Sequence, residues 1–239
     1  MMENTIRVAV VTGASRGIGR AVASGLAQDG FALALVARRR EPLDALAADL
    51  ARAPGVEHSV WALDVADADA IRTAVAAIAT RYGRIDVLVN GAGTYEAGTL
   101  GLSGAALEYT LTVNLVAPFL FMQAALPFMK AQGRGHVFNV ASRAGKVGFA
   151  GDGVYVASKF GLVGLSESVY REHATAGICV TSLCPGWTDT DMARAAGTPL
   201  TPQEMIQPDD ILETIRWLLR LSPAVRVREV MLECEHSIA

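Results

Sequence analysis

The amino-acid sequence predicts an α/β fold in which a parallel sheet of about seven strands is doubly wound, with helices on both faces. Short β-branched apolar runs alternate with longer helical patterns from one end of the chain to the other. This alternation favours parallel pairing, because a parallel strand is reached through a right-handed crossover helix. The 239 residues contain no internal repeat and no Pro- or Gly-rich linker, so we expect a single domain over residues 1–239.

The predicted elements follow one another in regular order. Strands are predicted over residues 7–12, 32–37, 58–63, 87–90, 136–141, 179–184 and 228–233. Helices are predicted over residues 17–29, 42–52, 68–82, 104–132, 154–176 and 209–221. Ligands of such sheets bind outside the carboxyl ends of the strands, so we expect the chemistry to lie just after them.

One long irregular segment, residues 189–208, follows the sixth strand and contains Gly197, Pro199 and Pro202. We interpret this segment as a mobile lid over a substrate. The alternative is a simple connector between the sixth strand and the last helix.

Charge and cysteine content exclude several classes of function. A net charge of -3 and a pI near 5.8 provide no basic surface for phosphate polymers, so we expect no nucleic-acid partner. The cysteines, Cys179, Cys184 and Cys234, lack the close paired spacing of a metal or redox site and are expected to be reduced core thiols. The 4 histidines are scattered as well, so we predict no metal site.

The distribution of apolar residues favours a cytoplasmic protein. The N-terminus has no charged leader followed by an apolar region. The longest apolar stretch, residues 114–129, contains Asn, Gln and two prolines and is too short to span a bilayer, so we expect no membrane partner. Because 51% of the residues are hydrophobic and only 19% are charged, we expect part of the helix surface to be covered in a homo-oligomer, a tetramer or dimer.

A glycine-rich turn joins the first strand to the first helix, with the sequence Thr12-Gly13-Ala14-Ser15-Arg16-Gly17-Ile18-Gly19. Glycine lets the backbone turn tightly, approach a pyrophosphate without a Cβ in the way and direct the helix N-terminus at the anion. These properties indicate the nucleotide site of a Rossmann-type fold. The alternative is a turn that serves only helix packing.

The residues after the second strand indicate which dinucleotide binds. Dinucleotide folds that select NAD place an acidic residue there, where it accepts hydrogen bonds from the ribose 2′-hydroxyl. Here the strand is followed by Arg38, Arg39 and Arg40, whose guanidinium groups suit a 2′-phosphate, and Arg16 can reach the same group. We therefore predict NADP(H) as the cofactor. The alternative is a solvated arginine cluster at a helix entry.

Three polar residues suggest acid/base chemistry in the same crevice. Tyr155 and Lys159 are four residues apart on a predicted helix, so their side chains share one face. An ammonium about 4 Å from a phenol lowers its pKa by roughly three units at an effective dielectric of about 20. Ser142 ends the fifth predicted strand, where its hydroxyl can bind a substrate oxygen. A Tyr–Lys pair of this spacing on an ordinary amphipathic helix is the alternative.

Over essentially its whole length the chain resembles the short-chain dehydrogenase/reductase family. The resemblance rests on ordered motifs: Thr12-Gly13-x-x-x-Gly17-x-Gly19, Asp64, Asn90-Gly91-Ala92-Gly93, Asn114, Ser142, Tyr155-x-x-x-Lys159 and Pro185-Gly186 through Thr190. It implies hydride transfer between NADP(H) and a small carbonyl or alcohol substrate. In that reaction Tyr155 is the general acid/base, Lys159 holds the ribose and lowers the phenol pKa, and Ser142 orients the substrate oxygen. Asn114 would hold a water molecule for a proton relay.

The resemblance also implies the cofactor contacts. They comprise Gly13, Ser15, Arg16, Ile18 and Gly19 in the turn, Arg38, the adenine contacts Asp64 and Val65, the wall Asn90, Ala92 and Gly93, and Tyr155, Lys159, Pro185, Gly186, Thr188 and Thr190 around the nicotinamide. Structural alternatives exist for three of the proposed roles. Asp64 could be a turn residue, Asn114 a locally satisfied amide and Thr190 a helix cap.

Two departures from the family pattern bear on the substrate. The usual Asn-Asn-Ala-Gly has Gly91 at its second position, which removes a side chain from a structural turn. The chain ends Val230-Met231-Leu232-Glu233-Cys234-Glu235 instead of the Asp-Gly-Gly common in acyl-carrier reductases. This ending is more similar to that of members that act on hydroxy acids or other small alcohols. The resemblance therefore favours such substrates over 3-oxoacyl thioesters.

Two other classes compete with a dehydrogenase. One is a non-catalytic NADPH-binding sensor or scaffold that keeps the fold, which loss of the Tyr, Lys or Ser would mark; all three are present. The other is an epimerase or dehydratase with a tightly held cofactor, whose relatives usually have a longer C-terminal substrate region. Consumption of NADP(H) in bulk separates these classes.

Overall fold

The seven strands form one parallel sheet in the order β3-β2-β1-β4-β5-β6-β7. The computed structural model describes residues 6–52 and 55–235. The strands are β1 Val8–Thr12, β2 Ala32–Ala37, β3 His58–Ala62, β4 Val87–Asn90, β5 Gly135–Val140, β6 Ile178–Pro185 and β7 Glu229–Leu232. This topology confirms the predicted doubly wound sheet of the Rossmann type.

Strand β1 lies at the point where the strand order changes direction. It pairs with β2 on one side and β4 on the other, with Thr12 level with both Val36 and Asn90. Connections on the two sides leave for opposite faces of the sheet, which opens a crevice above the carboxyl end of β1. The predicted ligand site therefore lies at this edge.

The helices are α1 Gly17–Gln28, α2 Arg40–Leu50, α3 Ala68–Tyr82, α4 Gly104–Leu111, α5 Ala117–Ala131, α6 Gly153–His173, α7 Asp191–Ala195 and α8 Pro208–Arg220. The single helix predicted over residues 104–132 contains a π-helical turn, Thr112–Val116, between α4 and α5. The helix predicted to reach residue 176 ends earlier, and Ala174–Ala176 forms a separate 3-10 turn.

Two apolar cores lie on opposite faces of the sheet. On one face α1, α2 and α8 bury Leu26, Leu46 and Ile211 against the strands. On the other face α3 and α5 bury Ile78 and Phe121. Because β1 and β2 have apolar neighbours on both faces, their sequences are nearly continuous apolar runs and do not alternate.

The helical stretch from α4 through α5 is longer than the apolar run of residues 114–129 on which the expectation of no membrane span rests. Gly104–Ala131 forms one helical stretch of 28 residues, which by length and composition alone could cross a membrane. Its side chains Phe121, Met122 and Met129 are buried against the sheet. The buried core helix of a soluble protein meets the same criteria. Contact with the sheet therefore accounts for the apolar character of these side chains.

The segment 189–208 is more ordered than its sequence suggested. It contains the short helix α7 and a 3-10 turn, Pro202–Glu204. Its ends are joined by backbone hydrogen bonds from Asp189 N to the Ile206 carbonyl and from Ile206 N to the Trp187 carbonyl. The segment is therefore a closed loop anchored beside β6.

Candidate active site

A crevice of about 700 Å³ opens above the carboxyl ends of the strands. The predicted site residues that line it are Gly13, Ser15, Arg16, Ile18, Gly19, Arg38, Asp64, Val65, Ala92, Gly93, Ser142, Tyr155, Lys159, Pro185, Gly186, Thr188 and Thr190. Asn90 and Asn114 are buried behind its wall. The fold therefore brings residues from six strand ends to one site.

The glycine turn is packed too tightly for any side chain. Gly13 has a φ of +70°, and a Cβ there would lie 2.7 Å from the carbonyl oxygen of Gly91. A Cβ at Gly19 would lie 2.3 Å from the carbonyl oxygen of Gly13. The hydroxyl of Thr12 accepts hydrogen bonds from the backbone N–H groups of Gly91 and Ala92. The turn and the loop after β4 thus form one rigid backbone cradle.

Gly91 fits this cradle because it has no side chain. A Cβ at this position would lie 2.8 Å from the carbonyl oxygen of Thr12. Glycine in place of the second Asn of the family's Asn-Asn-Ala-Gly therefore allows the loop after β4 to lie close to the glycine turn after β1.

The basic groups after β2 lie at the outer end of the crevice. Arg38 donates a hydrogen bond from Nη1 to the Tyr109 hydroxyl at 3.3 Å, and both side chains are exposed. Across the opening, Arg16 lies 3.8 Å from the carboxylate of Asp191. Strand β2 is followed directly by arginine, so no carboxylate stands at the position that receives a ribose 2′-hydroxyl in NAD sites.

Tyr155 lies deeper in the crevice, in the first turn of α6. Burial raises the pKa of its hydroxyl to about 12, a hydrogen bond with Ser142 acts in the opposite direction, and the carboxylate of Asp152 raises it further. The lowering of this pKa by Lys159 stays a prediction, because the raised value has burial as its largest cause. The phenol is therefore held in its protonated form, with Ser142 beside it.

Lys159 lies one helical turn after Tyr155, with Nζ 5.6 Å from the centre of the tyrosine ring. Its side chain is buried, and Nζ donates a hydrogen bond to the Val140 carbonyl oxygen at 2.9 Å. Burial lowers the pKa of this ammonium to about 8. Spacing on the helix thus places the cation near the phenol, while the hydrogen bond to β5 sets its position.

Asn114 lies in the π-helical turn and is fully buried. Its Oδ1 accepts a hydrogen bond from Thr94 N, and its Nδ2 donates to the Thr94 carbonyl and to the Ser158 hydroxyl. The side chain therefore joins the π turn to the loop after β4 and to α6. This is the locally satisfied amide that the sequence left open as an alternative.

Two other predicted cofactor-binding residues, Asp64 and Thr190, also make hydrogen bonds within the protein. The carboxylate of Asp64 accepts a hydrogen bond from Ala66 N, as in a turn. The Thr190 hydroxyl caps α7 by accepting a hydrogen bond from Ala193 N. Both side chains still line the crevice, so these roles are compatible with ligand contacts.

Asn90 belongs to a buried polar chain that crosses the sheet. Its Nδ2 donates to Asn139 Oδ1 at 2.7 Å, and Asn139 Nδ2 donates to the Ser166 hydroxyl at 2.8 Å. The chain links the end of β4 to α6 through β5. Neither Asn139 nor Ser166 was singled out from the sequence, because only the paired register of β4 and β5 brings them together.

Sequence reasoning left out Tyr109, Arg143 and Asp152, which also line the crevice. Tyr95, Phe149 and Trp187, which sit on loops near the same strand ends, also line it. Tyr109 lies near the end of α4, Arg143 in a 3-10 turn and Asp152 at the entry of α6, and no periodic pattern in the sequence indicates that these side chains face the crevice. The position of Asp152 only three residues before Tyr155 was the one available signal.

Fold and crevice together define a nucleotide-binding protein of the Rossmann type. The family model described as short chain dehydrogenase matches residues 7–200. The chain therefore belongs to the short-chain dehydrogenase family, and it is an oxidoreductase.

Individual relatives agree with this assignment. A 3-oxoacyl-[acyl-carrier-protein] reductase, FabG, of Staphylococcus aureus is 36% identical over 201 residues, which are 83% of this chain and 81% of the relative. The crystal structure of a FabG from Bacteroides thetaiotaomicron has a TM-score of 0.87 at 40% identity, covering 98% of this chain and 99% of that one. An alcohol dehydrogenase from Thermococcus sibiricus, complexed with 5-hydroxy-NADP, has a TM-score of 0.88 at 33% identity, covering 98% and 99%.

Proposed function

We propose that this protein transfers a hydride between NADP(H) and a small carbonyl or secondary alcohol substrate. The observation that carries the proposal is the convergence of Ser142, Tyr155 and Lys159 in the same crevice as the glycine turn. A proton donor, a hydrogen-bond donor and a cation around one opening meet the needs of carbonyl reduction, in which negative charge develops on the substrate oxygen.

The residues of the crevice fit a phosphorylated dinucleotide. The close contact of Gly13 with Gly19 leaves backbone N–H groups at the N-terminus of α1 free of Cβ atoms, as a pyrophosphate requires. At the outer end Arg38 provides a guanidinium group where a 2′-phosphate would lie, and Arg16 stands opposite. The Thermococcus sibiricus relative was crystallised with 5-hydroxy-NADP. When bound, the nicotinamide supplies or accepts the hydride.

The side chains around the reacting carbon have separate roles. In reduction Tyr155 donates its proton to the substrate oxygen, and the raised pKa of the phenol keeps that proton available at neutral pH. Ser142 binds the same oxygen, and Lys159 binds the nicotinamide ribose and places positive charge beside the phenol. Asn114 supports a proton relay behind Tyr155, since its Oδ1 retains a second lone pair.

The proposal extends to the lid, the location and the assembly. Helix α7 and the loop after it contribute Met192 and Ala196 to the crevice wall, which supports a substrate lid at residues 189–208. A homo-oligomer, a tetramer or a dimer, is supported by exposed apolar side chains on the long helices, including Phe119, Phe128 and Phe160. We place the protein in the cytoplasm, where free thiols such as Cys184 persist.

The test is a titration of the protein with NADPH and with NADH by nicotinamide fluorescence, followed at saturation by ketones, aldehydes and 3-oxoacyl thioesters. We expect tighter binding of NADPH and oxidation of the cofactor with at least one substrate. The Tyr155→Phe variant should bind NADPH like the wild type and lose turnover by about 10²-fold or more. Turnover retained by this variant contradicts the role of Tyr155, and tight binding without any turnover favours the sensor.

A further inference from the structure

Asp152 stands at the N-terminus of α6 but does not cap it. Aspartate is among the preferred N-cap residues, because its carboxylate accepts hydrogen bonds from free N–H groups of the first turn. At this position the side chain makes no capping hydrogen bond. Instead Oδ1 accepts a hydrogen bond from the Tyr95 hydroxyl at 2.8 Å. The carboxylate thus binds the loop after β4 and makes no hydrogen bond to the helix end.

Tyr95 is held in place by the pairing of two loops. The loop after β4 and the loop before α6 are joined by backbone hydrogen bonds from Gly98 N to Gly151 O and from Val154 N to Gly98 O. The Thr99 hydroxyl accepts a further hydrogen bond from Gly153 N. These contacts join the two loops that carry Tyr95 and Asp152, and both side chains line the crevice. The pair is therefore part of a fixed wall.

This wall stands beside the reacting group. The ring of Tyr95 contacts the ring of Tyr155 edge to face, with 5.3 Å between the ring centres. Asp152, three residues before Tyr155, is close enough that its charge raises the pKa of the Tyr155 hydroxyl. A substrate carbonyl bound to Tyr155 would therefore have one of its two substituents next to Asp152.

The carboxylate of Asp152 is available to a ligand. Within residues 6–52 and 55–235 it forms no ion pair, and Tyr95 is the partner of one of its two oxygens. The neighbouring cations are engaged elsewhere: Arg143 lies 3.2 Å from Glu233, and Lys159 donates to the Val140 carbonyl. An acceptor with negative charge and a free oxygen attracts a hydrogen-bond donor and repels an anion.

We propose that Asp152, oriented by Tyr95, is a specificity residue that selects substrates with a hydroxyl group on the carbon next to the reacting carbonyl. A substrate carboxylate on the reacting carbon is disfavoured by repulsion from the charge of Asp152. An alkyl substituent there leaves the second Asp152 oxygen without a hydrogen-bond donor. The inference rests on the proposed function. It also disfavours 2-hydroxy acids among the hydroxy acids and other small alcohols that the C-terminal sequence favoured, since the oxidised form of a 2-hydroxy acid carries a carboxylate at this position.

The test uses three ketones that differ at one substituent: 1-hydroxybutan-2-one, 3-pentanone and 2-oxobutanoate. For each, kcat/KM with NADPH is measured in the wild type and in variants, and ratios to 3-pentanone are compared between proteins. Intrinsic differences in reactivity of the ketones cancel in this comparison. We expect Asp152→Ala to lower the hydroxyketone ratio about tenfold or more, because a hydrogen bond to a charged group is lost.

Further variants separate charge from shape. Asp152→Asn keeps the size of the side chain and an acceptor for Tyr95, so it should raise the 2-oxobutanoate ratio about tenfold with a smaller change for the hydroxyketone. Tyr95→Phe keeps the charge but releases the carboxylate, and we expect an intermediate loss of hydroxyketone preference. Glu96→Gln is the matched control: it removes an exposed carboxylate next to Tyr95 and should leave all ratios unchanged.

Failure of this inference is distinguishable from failure of the proposed function. Turnover of all three ketones with ratios that stay within twofold in Asp152→Ala and Asp152→Asn overturns the specificity role and leaves the hydride transfer intact. If the wild type reduces none of them, binding of the same compounds to the NADP⁺ complex is measured by ligand-observed NMR. A hydroxyketone preference that disappears in Asp152→Asn and Asp152→Ala then supports the role of Asp152, and equal binding in all proteins overturns it.

Discussion

Lys159 Nζ donates a hydrogen bond to the Val140 carbonyl oxygen at 2.9 Å, which ties the first turns of α6 to the end of β5. The two residues are 19 positions apart in sequence, yet this contact determines where the cation lies relative to Tyr155. Because burial lowers the pKa of the ammonium to about 8, the site contains a lysine that loses its proton more easily than one in water.

Replacement of this lysine should affect chemistry much more than folding. In Lys159→Met a buried ammonium is exchanged for an apolar side chain of similar length, which offsets the loss of the hydrogen bond to Val140. We expect the free energy of unfolding to change by less than about 1.5 kcal/mol, while turnover falls by about 10²-fold or more. Thermal unfolding and steady-state rates measure both. Unchanged turnover would exclude a role for the cation.

Arg38 should discriminate between the two dinucleotides. Since a guanidinium–phosphate contact contributes about 1.5–3 kcal/mol, we expect Arg38→Ala to weaken NADPH binding at least tenfold and NADH binding less than twofold. Fluorescence titration provides both dissociation constants. Arg40→Ala is the control, because Arg40 is paired with Asp44 along α2 and should not change the ratio. Equal losses for the two cofactors in Arg38→Ala refute the assignment.

Gly19 should tolerate no side chain. In Gly19→Ala the new Cβ would lie 2.3 Å from the backbone oxygen of Gly13, so the glycine turn must shift, at a cost of about 1–3 kcal/mol in stability. NADPH affinity should fall as well, because the cradle is displaced. In the control Gly164→Ala, on the exposed side of α6, the Cβ has no neighbour within 4 Å. We expect it to gain about 0.5–1 kcal/mol. Calorimetry measures the melting temperatures of the two variants. Equal melting temperatures for Gly19→Ala and Gly164→Ala would argue against the steric explanation.

His136 should make the protein less stable in acid. Its Nε2 lies 3.0 Å from the Thr181 hydroxyl, its ring stacks on Phe138, and burial lowers its pKa to about 3, with Arg226 acting in the same direction. The unfolded chain binds a proton near pH 6.5 but the folded one does not, so stability is lost as the pH falls from about 6.5 towards 3.

The loss attributable to His136 is about 2 kcal/mol at pH 5, from 1.5 pH units at about 1.36 kcal/mol each. Urea unfolding at pH 7.5 and pH 5 measures it. In His136→Gln, which cannot be protonated, this part of the pH dependence should disappear. An identical difference in the wild type and the variant would show that another group is responsible.

Elements of the fold with a local signal could be predicted from the sequence. The glycine turn after β1, the apolar runs of the strands and the spacing of Tyr155 and Lys159 were all assigned correctly to their elements. The π-helical turn around Asn114 and the short helix α7 were missed. A π turn has the same composition as the helix around it, and a helix of 5 residues is too short for a periodic pattern.

The sequence by itself determined the order of strands and helices, and hence the strand ends at which polar residues gather, because hydrophobic periodicity and turn chemistry are local properties. Only the tertiary structure decided which of these residues touch. The Tyr95–Asp152 hydrogen bond joins positions 57 apart, and Arg38 meets Tyr109 across 71 positions. It also decided that the pKa of Tyr155 is raised, since desolvation depends on everything packed around a group and not on its neighbours in sequence.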